Sequence, residues 1–128
     1  MNMSAAIMLL LVVLVAPLGL CAVEKPTTEK EKIEALIRNV ENLKGATFIR
    51  NGSDYDAKTA ARFLRGKWRA HEKEVKTATD FIDKVATVSG TSGKPYMIRL
   101  KDSRNVTCAD YLKDELKKLE QDKPKDPA

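Results

Sequence analysis

Two short strings carry the side chains best suited to holding a ligand. Arg50-Asn51-Gly52 and Ser92-Gly93-Lys94 each combine one cation with a hydroxyl or amide side chain and a glycine. Guanidinium and ammonium groups supply charge-assisted donors, and neutral side chains and exposed amides complete a set suited to a carboxylate, a phosphate or a sugar. Each string lies at one end of an expected strand. Antiparallel pairing of those strands would bring the end of the first beside the start of the second. The competing reading is that these residues only build turns. Ser92-Gly93-Lys94 also contains part of a phosphate-binding-loop pattern, but the pattern fails. Gly90 and Gly93 stand too close, Pro95 replaces the required Ser or Thr, and a strand rather than a helix is expected next.

A larger cluster follows the first string. From Lys58 to Lys76 seven bases face only Glu72 and Glu74. At 100° per residue, Lys58, Arg62, Arg65, Arg69, Lys73 and Lys76 fall in a stripe about 80° wide, about 120° around the helix from its apolar face, if the helix continues that far. Such a stripe attracts an anionic envelope component or an acidic protein over a distance, or it is simply a solvated face. Nucleic acid is not an expected partner, because export removes the chain from most of it and Trp68 and Phe63 are the only nearby rings.

Catalytic groups are sparse. His71 is the sole histidine, so neither a Ser-His-Asp nor a Cys-His arrangement has choices to work with. Cys108 falls on an apolar helix face, where a thiol usually behaves as a small hydrophobe. No set of Cys, His, Asp and Glu has metal-ligand spacing, and no cofactor is expected. Asp54, Tyr55, Asp56 and His71 would be the working groups of a weakly marked hydrolase or transferase. Asp56 reads more simply as a helix cap and Asp54 as a turn residue.

The elements that must position these residues are legible from caps and periodicity. Thr28 with Glu31 forms a capping box for a first helix over about 29–44, with Ile33, Leu36, Ile37, Val40 and Leu43 on one face and Gly45 after its end. Residues 46–50 read as a strand running into the Asn51-Gly52 turn. Asp56 caps a second helix with Ala57, Ala60, Ala61, Leu64 and Trp68 inward, and Gly66 would bend it or end it early. Thr77 with Asp80 starts a third helix that buries Phe81, Ile82, Val85 and Ala86. Residues 89–95 form a loop, residues 96–100 a second strand. Thr107 with Asp110 starts a fourth helix presenting Cys108, Tyr111, Leu112, Leu116 and Leu119. The expected fold is therefore α+β, with four helices packed around a short two-stranded antiparallel sheet in the order α-β-α-α-β-α.

The chain has 128 residues and a formal net charge of +5, enough for one ordinary domain. No charged side chain precedes Glu24, and the apolar run from Ala5 to Val15 has the length of a signal-peptide core. The expected organisation is a signal peptide over 1–22, a flexible segment over 23–28, one α+β domain over 29–121 and a disordered charged tail over 122–128. Retained instead of cleaved, the first segment would anchor the chain, since about 20 apolar residues span a bilayer. Leu20 before Cys21 argues against a lipid-modified cysteine. With Cys21 removed, Cys108 is the only thiol and no internal disulfide can form. Membrane contact of the mature domain would then be peripheral.

The ordered set Thr47-Phe48-Ile49-Arg50-Asn51-Gly52, Tyr55, Ala60, Leu64, Lys67, Thr77-Ala78, Phe81-Ile82 and Ser92-Gly93-Lys94-Pro95-Tyr96 resembles the YfeK-like proteins, a family of small exported bacterial proteins of unknown function. The resemblance runs from about Ile33 to Leu116. It implies a periplasmic or envelope location and brings no activity with it. Residues and resemblance together lead to an exported, periplasmic or secreted, non-enzymatic domain that binds an anionic ligand or partner. The candidate ligand residues are Arg50, Asn51, Ser92, Gly93 and Lys94, and the candidate stripe is Lys58, Arg62, Arg65, Arg69 and Lys73. A hydrolase or transferase, and a structural or assembly subunit of an envelope complex, are the alternatives.

Overall fold

Each α-helix starts where a hydroxyl or carboxylate can accept the backbone N–H three residues on. Thr28 Oγ1 accepts from Glu31 N at 3.1 Å while a Glu31 carboxylate oxygen accepts from Thr28 N at 3.1 Å. Asp56 accepts from Thr59 N at 2.8 Å, Thr77 from Asp80 N at 2.9 Å and Thr107 from Asp110 N at 3.0 Å. These bonds satisfy N–H groups that have no partner within the helix. The computed structural model describes residues 26–121, and the expected signal peptide and charged tail lie outside them.

In chain order the elements are α1 (Glu29–Glu41), β1 (Thr47–Arg50), β2 (Ser53–Tyr55), α2 (Ala57–Ala70), a one-turn 3-10 helix (Glu72–Glu74), α3 (Ala78–Lys84), β3 (Met97–Arg99), β4 (Asn105–Thr107) and α4 (Cys108–Gln121). The class is α+β with four α-helices, but the sheet has four strands, not two, in the spatial order β2-β1-β3-β4 and antiparallel throughout. Two hairpins supply the additional strands. Asn51 and Gly52 adopt φ of 52° and 79° and join Arg50 to its partner Ser53, the two-residue geometry that matches strand twist. In the other hairpin the Asp102 carboxylate accepts from Arg104 N at 3.1 Å and Ser103 takes φ 73°. The chain order is thus α-β-β-α-α-β-β-α, with the 3-10 turn between α2 and α3.

Register fixes which side chains face inward. Tyr55, Phe48, Ile98 and Val106 form one row across the sheet. Phe48 and Ile98 are buried with Leu36, Ile37, Leu64, Phe81, Ile82 and Leu112 in a single core. Ile49, Met97 and the Asp54–Arg99 ion pair at 3.6 Å occupy the opposite face, because side chains alternate along a strand. α1 ends at Glu41, three residues short of expectation, and Gly45 takes φ 67° before β1. Val85 and Ala86 are buried although α3 stops at Lys84.

α2 runs through Gly66 without interruption. An added Cβ there would meet nothing within 4 Å, so the residue has no steric reason to be glycine. Gly66→Ala is expected to raise stability by about 0.4–1 kcal/mol, chiefly by restricting the unfolded chain. Urea denaturation measures this, and a loss of stability would mean that the helix bends at this point in solution.

Candidate functional site

The two predicted loops meet. β1 lies against β3, and the Asn51-Gly52 turn therefore sits beside the loop that precedes β3. Ser92 Oγ donates to Asn51 Oδ1, and Asn51 Nδ2 donates to Thr91 Oγ1 at 3.5 Å. Within the loop, Gly93 N donates to Ser89 O at 2.8 Å and Lys94 N to Ser92 Oγ at 3.2 Å. Asn51 and Ser92 thus hold the loops to one another, and the amides of Gly93 and Lys94 already have partners. The Lys94 side chain is exposed.

Arg50 goes elsewhere. Two residues from Phe48 on the same strand, it points to the same, inward side of the sheet. Its guanidinium carbon lies 4.4 Å from the Phe63 ring centroid on α2, within cation–π range. Its Nε is buried and has no hydrogen-bond partner. From sequence alone Phe63 is only a ring near the basic stripe, with nothing to join it to Arg50. The available signal was strand alternation, which places Arg50 on the Phe48 side.

Tyr96 backs this contact. It is buried, its ring centroid lies 5.7 Å from Phe48 and 5.5 Å from Phe63, the latter edge to face. Lys67 Nζ donates to the Tyr96 hydroxyl at 2.9 Å and to Val88 O at 2.9 Å. A strand residue, a helix aromatic and the β3 approach are therefore packed as one unit.

The basic residues of α2 divide into two groups. Lys58, Arg62 and Arg69 are exposed, and none forms an ion pair among the described residues. Arg65 is half-buried and reaches Glu34 of α1 at 3.4 Å. Lys73 is not on α2, because the helix ends at Ala70 and Lys73 belongs to the following 3-10 turn, between Glu72 and Glu74. His71 and Glu72 occupy the positions where the apolar face would continue, so little is gained by extending it. At the start of α2, the Asp56 carboxyl is held below its usual range by hydrogen bonds from the Thr59 side chain and backbone, helped by Lys58 and Arg62.

The four candidate acid–base groups do not gather. Asp54 and Tyr55 alternate to opposite faces of the sheet, and Asp54 is paired with Arg99. Asp56 caps the start of α2 and His71 its end, about 20 Å apart at 1.5 Å per residue. Cys108 is buried, and burial pushes its thiol up to about 12, which makes it a packing group rather than a nucleophile.

Comparison of the sequence with known proteins finds relatives of unknown function. The family described as a family of unknown function, DUF5329, matches residues 27–120. An uncharacterised protein, YfeK of Salmonella typhimurium (strain LT2), is 38% identical over 68 residues, covering 53% of this chain and 57% of that protein. The match therefore spans little more than half of either chain. No solved structure matches.

Proposed function

The chain belongs to the DUF5329 family, and on that premise we propose that it is an exported envelope domain without enzymatic activity that docks on an anionic surface through the outer face of α2. In this reading residues 1–22 direct export and are removed, residues 29–121 form the working domain, and residues 122–128 are a disordered tail. The observation that carries it is the exposed set Lys58, Arg62 and Arg69, which forms no ion pair among the described residues and has Asp56 near only its first two members. Like charges at i,i+4, as at Lys58 and Arg62 or Arg65 and Arg69, destabilise a helix by about 0.2–0.5 kcal/mol per pair. A face that serves only solvation gains nothing from that cost. Attraction of each cation to an anionic surface offsets it.

Near a charged membrane each exposed Lys or Arg contributes on the order of 1 kcal/mol. The double substitution Arg62→Gln with Arg69→Gln is therefore expected to weaken binding to phosphatidylglycerol vesicles about 30-fold at physiological salt. Raising the salt concentration should weaken the parent protein likewise, since the Debye length is about 8 Å at 0.15 M. Cosedimentation that is unchanged by both treatments would remove the α2 face from the reading.

A further inference from the structure

Between β1, β2 and α2 lies a cleft of about 90 Å³ lined by Phe48, Arg50, Tyr55, Thr59, Ala60 and Phe63. Its walls are mainly hydrocarbon and aromatic, and Arg50 is the one ionic group among them. The guanidinium cannot give up its proton and presents five N–H donors in a plane. It rests on the Phe63 ring with Nε buried and unpartnered, and among the described residues no carboxylate pairs with it. Nε is closed to solvent, so a ligand in the cleft meets the terminal N–H groups of the fork. An apolar cleft with one ionic group, and the hydroxyl-bearing Tyr55 and Thr59 among its lining residues, has the composition of a small-molecule site.

We propose that this cleft binds a small aliphatic carboxylate, its branched hydrocarbon end among Phe48, Tyr55 and Ala60 and its carboxylate on the guanidinium of Arg50. The volume selects the hydrocarbon. At about 90 Å³ the cleft is smaller than the ~150 Å³ cavity that takes benzene, so a short branched chain suits it better than a ring. The cation selects the head group. A planar fork matches a carboxylate in bidentate fashion, whereas a phosphate dianion would lack a second cation, since Arg50 is alone in the lining. The site is independent of the outer face of α2, because Lys58, Arg62 and Arg69 do not line it.

A carboxylate close to an isobutyl group occurs both in a free branched-chain acid and at a peptide C-terminus ending in leucine. The test titrates 4-methylpentanoate and N-acetyl-leucine into the full chain while following the NMR signals of Phe48, Tyr55 and Phe63. Saturable shifts are expected with Kd on the order of 1 mM, which eight non-hydrogen atoms can support. Acetate and 4-methylpentanamide should each bind at least tenfold more weakly, and Arg50→Gln should weaken 4-methylpentanoate at least tenfold. Arg50→Lys keeps the charge without the fork and should lose most of the affinity too, which covers a failure of Arg50→Gln to fold. Tighter binding of N-acetyl-leucine assigns a peptide terminus, and tighter binding of 4-methylpentanoate a free acid. Equal binding of the amide, indifference to both Arg50 variants, or no saturable shift with either acid would overturn the proposal. Arg62→Gln with Arg69→Gln should leave these titrations unchanged, so the site stands or falls separately from the α2 face.

Discussion

Phe81→Ala should lower the stability of the domain by about 3–5 kcal/mol, the range for emptying a fully buried aromatic position. Phe81 has no exposed surface and meets the Trp68 ring edge to face with centroids 6.1 Å apart. The α3 helix that carries it has only seven residues, too short to hold itself in water. Its docking depends on Phe81 and Ile82 below and on Glu29 of α1, whose carboxylate accepts from Ala78 N at 2.8 Å. Cys108 is free, and no other cysteine lies among the described residues to cross-link the core. Against the 5–15 kcal/mol typical of a whole domain, the substitution removes a large share. At about 4–8 °C per kcal/mol for a domain of this size, Tm should fall by about 12–40 °C. Thermal denaturation followed by circular dichroism measures it. A fall of only a few degrees would mean that α3 is not seated on Trp68.

Local chemistry explains why the helices could be read and half of the sheet could not. A cap is decided within four residues, so Thr28, Asp56, Thr77 and Thr107 announce helix starts wherever the chain goes afterwards. The inward faces follow from spacing alone, and Leu36, Leu64, Ile82 and Leu112 are buried as expected. β2 and β4 are three residues each, Ser53–Tyr55 and Asn105–Thr107, too short and too polar for alternation to show. They exist because β1 and β3 offer open edges and the intervening turns return the chain to them. Asn51-Gly52 signals a tight turn, but the polar Ser53-Asp54-Tyr55 after it gives no sign of a second strand. The candidate site follows the same division. Contact between Asn51 and Ser92 follows from antiparallel pairing and was visible in the sequence. The Arg50–Phe63 contact joins residues on different elements, and the link between Arg65 and Glu34 depends on how α1 packs against α2, so neither has a local signature.

Tyr96 provides the sharpest test of how that site is held. Its ring packs between Phe48 and Phe63, and its hydroxyl is bonded to Lys67, whose Nζ also lies 4.9 Å from the ring centroid. Tyr96→Ala should therefore lose about 3–5 kcal/mol, as for other buried aromatic truncations. Tyr96→Phe removes only the hydroxyl. A hydrogen bond to a charged group contributes about 1.5–3 kcal/mol, but Lys67 keeps the Val88 carbonyl and some contact with water, so a loss of about 1–2 kcal/mol is expected. Lys67→Met should cost a similar amount, and combining it with Tyr96→Phe should show a coupling of at least about 0.5 kcal/mol, because the two remove the same bond. Urea denaturation of the four proteins completes the cycle. Strict additivity would mean the 2.9 Å contact contributes nothing in solution. Equal losses for Tyr96→Phe and Tyr96→Ala would mean the ring is not packed as described. The ring, not the hydroxyl, supports Phe63 and through it Arg50. Tyr96→Phe should consequently bind 4-methylpentanoate as the parent does, despite its lower stability, and this separates a positioning role in the cleft from a contribution to folding.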